Sequence, residues 1–547
     1  MTEKNGCAIL SITKEIVKEV VMGIYLNPGS QGFERIIRSE YVDKTGMIAL
    51  LNERIDTTDG LVCVSRPRRF GKSFAAQMLS AYYDHTCDSH ALFDGLEISR
   101  NKDYEKHLNR YNVINLDMAG IISMTIEDGK TISDVPRLLT DALRKELIKY
   151  RPDITETDKL ANCFIECVEL TGRKFIFIID EWDAIIREAK NDPDTQMAYL
   201  TMLRGWFKNS GFTPKVVAAA YMTGILPIKK DGSESAISDF REFTILDPGP
   251  FTAYTGFDEK EVKSLCSKHK RDFAEMKQWY DGYAFEGYGE IYNPYSVMEA
   301  LKSGECSSHW KKTSAAENLI TYINMDEDGL QADILKLLSG ENLRVNTRMF
   351  KNDFEHFSSK DDVLTLLIHL GYLSYNKKSG RVKIPNEEVR LEFIDILEQP
   401  RHTKLISLIK LSEKLLSDTL AGNEKEVAEA IEKVRETNYA PQFYNNEQAL
   451  RYAIKFAYIV CVDRFMKIEE LPSGHGLADV VFVPKKDTAY PAIIIELKWD
   501  KDEKEALYQI NDKKYDAVLE GYTGGIVKVG ISYDTDSKVH SCKIERV

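Results

Sequence analysis

Short apolar runs alternate with helix-forming stretches along the first half of the chain. From Phe33 onward, the apolar runs have the length and the β-branched and aromatic content of buried strands. We predict strands at residues 61–64, 111–116, 175–179 and 216–223. Helical patterns lie between them, including residues 74–83 directly after the first strand and residues 159–170. Strands that alternate with helices in this way predict a parallel, doubly wound sheet.

The alternation stops after about Pro248, and the second half of the chain divides by pattern into three parts. Helix-forming segments with aromatic turns such as WYDGY (residues 279–283) predict a helical lid. An amphipathic helix at residues 363–370, a turn at Gly371 and a small hairpin at residues 373–384 predict a winged-helix-like module. Helical sequence rich in Lys and Glu then leads to two apolar strands, which predict a separate C-terminal α/β domain.

The predicted fold class is therefore multidomain α/β, in five segments. They are an N-terminal extension, an α/β domain, the helical lid, the winged-helix-like module and a C-terminal α/β domain with a helical lead-in: residues 1–32, 33–250, 251–348, 349–402 and 403–547. The two apolar strands of the last segment are predicted at residues 480–483 and 492–497.

The composition is that of a globular protein. The 547 residues are 43% apolar and 29% charged, and the formal net charge is −13. Because excess negative charge repels nucleic acid, any nucleic-acid contact requires a local basic face. The cysteines form no CxxC pair, which argues against a zinc site. No apolar run is long enough to span a bilayer and the first residues lack a signal-peptide core, so we expect a cytoplasmic protein without membrane contact.

The first predicted strand leads into a loop that contains a P-loop ending. Residues 65–73 are SRPRRFGKS, in which Arg66 stands in the place of the first P-loop glycine. The helix that follows presents free backbone N–H groups to anionic oxygens. We predict that Lys72 reaches the β- and γ-phosphates of ATP and that Ser73 binds Mg²⁺. The predicted nucleotide contacts of the loop are Arg69, Phe70, Gly71, Lys72 and Ser73.

A second motif supports the nucleotide assignment, because Gly-Lys-Ser alone also occurs by chance. The apolar strand at residues 175–179 ends in Asp180 and Glu181. We predict that Asp180 holds Mg²⁺ through water and that Glu181 polarises the attacking water. The alternative is a pair of strand-end carboxylates facing solvent. Thr223, at the end of the next strand, is either a sensor of the γ-phosphate or an ordinary strand terminus.

The C-terminal strands carry a further set of charged residues. Asp479 begins one strand, and Glu496 and Lys498 lie near the end of the next. Residues two apart on a strand share a face, so Glu496 and Lys498 can converge with Asp479. Carboxylate oxygens suit Mg²⁺, and a lysine beside them can orient water or stabilise a developing phosphate charge. The pattern indicates phosphodiester hydrolysis, although amphipathic strand edges also produce it.

Taken together, the motifs resemble the bacterial and archaeal AAA-ATPase-like family, a branch of P-loop ATPases that carries a nuclease-type domain at its C-terminus. The resemblance covers nearly the whole chain and depends on YVDKT (41–45), RPRRFGKS (66–73), DEWD (180–183), TG (223–224), GFDEKEV (256–262), WYDGY (279–283), YNPYSV (292–297), GYLS (371–374) and IPNEEV (384–389). It implies that Arg66 is the usual residue of this kind of P-loop. Trp182 stands where the family pattern has tyrosine.

The C-terminal charged residues resemble the core motif of the PD-(D/E)XK nuclease superfamily, an Asp followed by Glu-X-Lys on the neighbouring strand. The resemblance implies that Gln509 and Tyr515, on the helix after the sheet, accompany the motif. It also implies a further metal-binding carboxylate, which Glu447 or Glu470 supplies. Leu477 departs from the basic residue expected just before the Asp.

These resemblances imply ATP and Mg²⁺ as cofactors, nucleic acid (DNA foremost) as partner and a homo-oligomer as a further expectation. Three hypotheses remain open. The first is a Mg²⁺-dependent nuclease gated by ATP. The second is a nucleotide-sensing signalling or scaffold ATPase whose C-terminal domain binds nucleic acid without cleaving it. The third is a nuclease whose P-loop binds nucleotide only for stability.

Overall fold

The computed structural model describes most of the chain. The residues described are 23–155, 159–228, 237, 239–310, 330–350, 357, 359–397, 403–438, 444, 446–458, 461, 465–473, 476–484, 490–512 and 525–547. The chain forms two compact units. The first runs to Ser65 and resumes at Gly71–Phe243, and the second comprises Arg66–Phe70 and Thr244–Val547.

The first unit is built on a five-stranded sheet in the order β2-β3-β4-β1-β5. Its strands are β1 Leu61–Ser65, β2 Asn112–Asp117, β3 Phe175–Asp180, β4 Val217–Gly224 and β5 Arg241–Phe243. Every neighbouring pair in this sheet is parallel, which confirms the predicted doubly wound sheet. The strands β1, β3 and β4 are buried along their whole length, as a sheet covered on both faces requires.

Helices cover this sheet with apolar faces. Helix Val135–Tyr150, for example, buries Val135, Leu139, Leu143 and Leu147, a spacing of four that places them on one side. The α-helices of the first unit are Gln31–Ile37, Gly46–Asn52, Lys72–Tyr83, His90–Phe93, Tyr104–His107, Met118–Glu127, Val135–Tyr150, Leu160–Thr171, Ala184–Glu188, Pro193–Phe207 and Thr213–Val216.

The second unit begins with helices and two small sheets. An antiparallel hairpin is formed by β6 Tyr283–Phe285 and β7 Gly289–Ile291. Further along, β8 Leu343–Arg344, β9 Ser374–Asn376 and β10 Arg381–Lys383 form an antiparallel sheet in the order β8-β10-β9. The predicted amphipathic helix, turn and hairpin are present, with the helix at Lys360–Leu370 and Gly371 at φ +90°.

The C-terminal part of the second unit is a mixed five-stranded sheet in the order β11-β12-β13-β14-β15. Its strands are β11 Phe465–Ser473, β12 Gly476–Pro484, β13 Ala492–Trp499, β14 Ile526–Asp534 and β15 Val539–Arg546. Only β13 and β14 pair in parallel, and the connection between them contains helix Glu503–Asp512. The two predicted strands are β12 and β13, both longer than predicted.

The α-helices of the second unit complete its architecture. They are Glu259–His269, Phe273–Tyr280, Pro294–Ser303, Leu330–Leu338, Lys360–Leu370, Glu387–Leu397, Thr403–Ala421, Glu424–Asn438, Glu447–Ala457 and Glu503–Asp512. Within the described parts of the chain, no helix combines the length and apolar character needed to cross a membrane.

Candidate active sites

The chain turns sharply between β1 and helix Lys72–Tyr83. Gly71 has φ +80° and Arg69 has φ +71°, both in the left-handed region. A side chain at Gly71 would meet no atom within 4 Å, so glycine is required there by the backbone conformation and not by space. Arg66 lies outside the left-handed region, so an arginine can replace the usual first glycine without backbone strain.

Four of the residues predicted at the ATP site converge at the carboxyl ends of β1, β3 and β4. The Thr223 hydroxyl donates to Asp180 Oδ1 at 3.2 Å. Ser73 also hydrogen-bonds the Asp180 side chain. Lys72 and Asp180 are buried, whereas Ser73 is exposed to solvent. Burial raises the pKa of Asp180. The arrangement offers a hydroxyl and a carboxylate side by side, which are oxygen ligands of the type that Mg²⁺ prefers.

The Lys72 side chain is buried close to Asp180, Glu181 and Asp183. Burial lowers its pKa to about 8, while the neighbouring Asp180, Glu181 and Asp183 act in the opposite direction. A buried ammonium without a bound anion is easily deprotonated. Negative phosphates at this position would stabilise its charged form.

Glu181 is held by an arginine from the short helix Ala184–Glu188. Arg187 Nη2 lies 2.9 Å from Glu181 Oε2, and Arg187 Nε lies 3.2 Å from Asp183 Oδ2. The Arg187 side chain is 12% exposed and that of Asp183 only 1%, so this is a largely buried ion-pair cluster. Glu181 has φ +51°, a conformation that non-glycine residues adopt at a cost of about 1–3 kcal/mol.

The remaining residues of DEWD connect the ends of β3 and β4. Asp183 Oδ2 accepts hydrogen bonds from the amides of Ile225 and Leu226 at 3.1 and 3.0 Å. The Trp182 amide donates to the Thr223 carbonyl at 2.9 Å. A Cβ atom at Gly224 would lie 2.7 Å from Trp182 Nε1. The Thr-Gly motif therefore places a polar side chain beside Asp180 and leaves room for the Trp182 ring.

The loop residues 66–70 make their described contacts within the second unit. Buried Arg66 donates to the carbonyl of Pro248 at 2.8 Å and to the hydroxyls of Thr252 and Thr255 at 3.1 Å. The Phe70 ring is buried in an edge-on contact with the ring of Tyr283.

Arg69 is engaged in the same unit. Its guanidinium lies 4.5 Å from the centroid of the Tyr295 ring and donates to the carbonyl of His309. The nucleotide-contacting role of Arg69 and Phe70 stays a prediction.

The charged residues of the C-terminal sheet also converge. β12 and β13 pair antiparallel with Val480 opposite Ile495, so the next step of the register brings Asp479 opposite Glu496. Lys498 Nζ donates to Glu496 Oε1 at 3.2 Å and to Gln509 Oε1 at 2.7 Å.

Both carboxylates of this cluster are nearly buried, because only 8% of the Asp479 side chain and 3% of the Glu496 side chain are exposed. Asp479 Oδ2 accepts from the backbone amide of Leu497 at 2.8 Å. Two buried carboxylates beside a lysine are a donor set that fits Mg²⁺. Among the residues described, no group of three or more His, Cys, Asp or Glu side chains is arranged to hold a metal ion, so the third ligand predicted for this site is not in place among them.

Comparison with known protein families assigns both regions. Residues 28–233 match the family described as predicted AAA-ATPase, and residues 456–542 match the PD-(D/E)XK nuclease superfamily. The chain joins an AAA-ATPase-like domain to a PD-(D/E)XK nuclease superfamily domain. No curated protein matches it significantly.

Two solved structures align with much of the chain at low similarity. The Aeropyrum pernix ORC2 protein, in ADPNP-ADP complexes, is 9% identical, with 66% of this chain and 94% of that chain covered and a TM-score of 0.24. Cdc6p from Pyrobaculum aerophilum is 10% identical, with 66% and 93% covered and a TM-score of 0.18.

Sequence reasoning missed two arginines that contact the predicted catalytic acids. Arg187 lies four residues after Asp183, so its pairing with Asp183 could have been inferred from helical spacing, whereas Glu181 precedes the helix. Arg451, on helix Glu447–Ala457, contacts Asp479 Oδ1 of the nuclease superfamily domain. No local signal in the sequence connects Arg451 with Asp479, which lies on a different element.

The sequence also points to further residues of the nuclease superfamily domain. Glu447 is exposed at the start of the same helix as Arg451, and its role as a metal ligand stays a prediction. Tyr515 and the side chains of Glu470 and Leu477 lie outside the described residues.

Proposed function

We propose that this protein binds and hydrolyses ATP and that its C-terminal domain cleaves a phosphodiester with Mg²⁺, under the control of the ATP site. The observation that carries the proposal is the convergence of Asp479, Glu496, Lys498 and Gln509 on two neighbouring strands and the adjacent helix. The family assignments of the two regions support it. DNA is the proposed partner and the cytoplasm the proposed location.

At the ATP site, the cationic residue binds the phosphates and the oxygen-bearing residues bind the metal ion. Lys72 neutralises the β- and γ-phosphates, and Ser73 and Asp180 hold Mg²⁺. Glu181 orients the attacking water once it leaves Arg187. Thr223 donates a hydrogen bond to Asp180, which supports a role in aligning that carboxylate and sensing the γ-phosphate.

At the nuclease site, Asp479 and Glu496 would hold the metal ion between the neighbouring strands β12 and β13. When bound, Mg²⁺ supplies Lewis-acid polarisation of the scissile phosphate and acidifies a water. Lys498 stabilises the negative charge that develops on the phosphate oxygens, and Gln509 positions the Lys498 ammonium by accepting its hydrogen bond at 2.7 Å.

One observation favours a second function, a nucleotide-sensing ATPase whose C-terminal domain binds nucleic acid without cleaving it. Both carboxylate oxygens of Asp479 already have partners, Arg451 and the Leu497 amide. A metal ion at Asp479 would compete with these two donors for the carboxylate oxygens.

A cleavage assay separates the hypotheses. Double- and single-stranded DNA are incubated with Mg²⁺, with and without ATP, and wild type is compared with Glu496→Ala and Lys72→Ala. Loss of cleavage in both variants supports the ATP-gated nuclease. Cleavage that persists at full rate in Lys72→Ala indicates a P-loop used only for stability. Absence of cleavage in wild type, with Lys72-dependent ATP hydrolysis intact, overturns the proposal in favour of the binding module.

A further inference from the structure

Arg451 stands at the proposed metal site without belonging to the superfamily motif. It lies on helix Glu447–Ala457, which packs against the domain through the buried side chains of Leu450, Ala453 and Ile454. The Arg451 side chain is 18% exposed and pairs with Asp479, whose side chain is 8% exposed. The guanidinium therefore meets the Asp479 carboxylate at a depth where solvent screens their attraction only weakly.

The contact is made by the Asp479 oxygen that is not bonded to the strand backbone. Asp479 Oδ2 is committed to the Leu497 backbone amide, which is part of the strand and cannot move away easily. Oδ1 carries the Arg451 contact. The Leu497 amide is fixed in the strand, whereas the Arg451 side chain can move. Oδ1 is therefore the oxygen that can exchange its partner for a metal ion.

The charges of the cluster lead to the same conclusion. Two carboxylates, Asp479 and Glu496, face two cations, Arg451 and Lys498, so these four side chains together are neutral. A divalent cation added to them would leave two excess positive charges in a buried place, which is strongly unfavourable. Release of Arg451 to solvent removes one of these charges and frees Oδ1 in the same step.

A place for the released arginine exists on its own helix. Glu447 lies one turn before Arg451 and is exposed. A glutamate four residues before an arginine is the favourable orientation for a helical ion pair.

We propose that Arg451 is a built-in competitor for the divalent cation, so that metal binding at Asp479 and release of Arg451 are one linked event. The inference rests on the proposed function only in taking Asp479 as a metal ligand. It assigns Arg451 a role in setting the affinity for the cation and none in the chemical step.

Binding of Mn²⁺ to the full-length protein, measured by electron paramagnetic resonance without nucleotide or DNA, tests the inference. Arg451→Gln is expected to bind Mn²⁺ about tenfold more tightly than wild type, the size that loss of one competing charge-assisted hydrogen bond implies. In the Asp479→Asn background, Arg451→Gln is expected to make no difference to Mn²⁺ binding. Equal or weaker binding by Arg451→Gln, or no Asp479-dependent binding in any variant, overturns the inference.

Two further variants keep the test decisive. Arg451→Lys retains a positive charge without the planar guanidinium, so its affinity is expected between those of wild type and Arg451→Gln, and it replaces the glutamine variant should that fail to fold. Arg435→Gln removes a comparably buried arginine that pairs with Glu432, and it is expected to leave Mn²⁺ affinity unchanged. A change in Mn²⁺ affinity in Arg435→Gln as large as that in Arg451→Gln would contradict the inference.

Failure of the inference and failure of the proposed nuclease are distinguishable, because metal binding is measured without cleavage. If Mn²⁺ binds as expected while DNA remains intact, the competitor role stands and the nuclease proposal falls. If DNA is cleaved but Arg451→Gln requires the same Mg²⁺ concentration as wild type, the nuclease stands and the competitor role falls.

Discussion

At the ATPase site the acidic residues follow the end of one strand, whereas at the nuclease-like site they face each other across two strands. Asp180, Glu181 and Asp183 are close in sequence, and their partner Arg187 lies on the next helical turn. Asp479 and Glu496 come from antiparallel neighbours, and Arg451 comes from a helix before the sheet. One ion-pair cluster is local in sequence and the other is assembled by tertiary structure.

The two clusters differ in how each acid can be released from its arginine. Arg187 contacts both Glu181 and Asp183, and Asp183 in turn holds two backbone amides after β4. Removing Arg187 therefore disturbs the sheet edge itself. Arg451 contacts an acid whose other oxygen remains bonded to the strand, so a metal ion can take its place.

The largest expected effect is the loss of stability in Arg187→Gln. The variant leaves the buried Asp183 carboxylate without its cation, which costs about 3–5 kcal/mol. We expect the free energy of unfolding of the first unit to fall by this amount. Hydrogen exchange at the backbone amides of β3 and β4 measures that free energy. Arg137→Gln, which removes an exposed pair with Asp134, is the control and should cost less than about 1 kcal/mol.

The effect of Mg²⁺ on stability should differ between Arg451→Gln and Arg187→Gln. Mg²⁺ should restore much of the stability lost in Arg451→Gln, because the cation replaces the missing charge at Asp479. It should restore none in Arg187→Gln in the absence of nucleotide. Thermal midpoints with and without Mg²⁺ measure the rescue. Equal rescue of both variants by Mg²⁺ would remove the distinction drawn between the two sites.

The sequence predicted the ATPase site better than the nuclease-like site for a physical reason. Parallel strands end at one edge, so Asp180 and Thr223 were expected on the same side of the sheet as the loop before Ser73 once the strands were recognised. The Arg451–Asp479 contact depends on how a helix docks on the sheet, which no local pattern specifies. β5 went unpredicted because its three residues are too few to show a period.

The second unit contains a buried acid, Glu388, whose hydrogen-bond donors are neutral, unlike the acids that pair with arginines. Glu388 is fully buried and accepts from the Ser296 hydroxyl and the His309 amide, both at 2.9 Å. Burial raises the pKa of Glu388 to about 7. Because the folded form holds the proton more tightly than the unfolded chain, stability falls as pH rises from about 4.5 through 7.

Glu388→Gln should remove this pH dependence while keeping both hydrogen bonds through its amide oxygen. We expect the variant to gain up to about 3 kcal/mol over wild type at pH 8, and little at pH 4.5, from thermal midpoints across that range. A gain that is the same at every pH would show that Glu388 does not titrate as described.

A smaller effect is expected at the contact between the ends of β3 and β4. Gly224→Ala would place a Cβ atom 2.7 Å from Trp182 Nε1 and 2.9 Å from Asp183 Oδ1. Such overpacking costs about 1–3 kcal/mol, and Trp182→Phe should recover part of it. Gly205→Ala is the matched control, because its Cβ would meet nothing within 4 Å and lies within helix Pro193–Phe207, where alanine is favourable. Chemical denaturation of wild type and these variants measures the difference.

The smallest expected effect is the proton taken up when ATP binds. The pKa of Lys72 is lowered to about 8 by burial, so near pH 8 roughly half of the protein carries a neutral lysine. Phosphates of ATP favour the charged form, so binding should take up about half a proton at pH 8 and about a tenth at pH 7. Calorimetry in buffers of different ionisation enthalpy measures this uptake. The control is Lys72→Arg, because a guanidinium keeps its proton throughout this pH range and has none to take up. Equal uptake by wild type and Lys72→Arg would assign the proton to another group and leave Lys72 charged before ATP arrives.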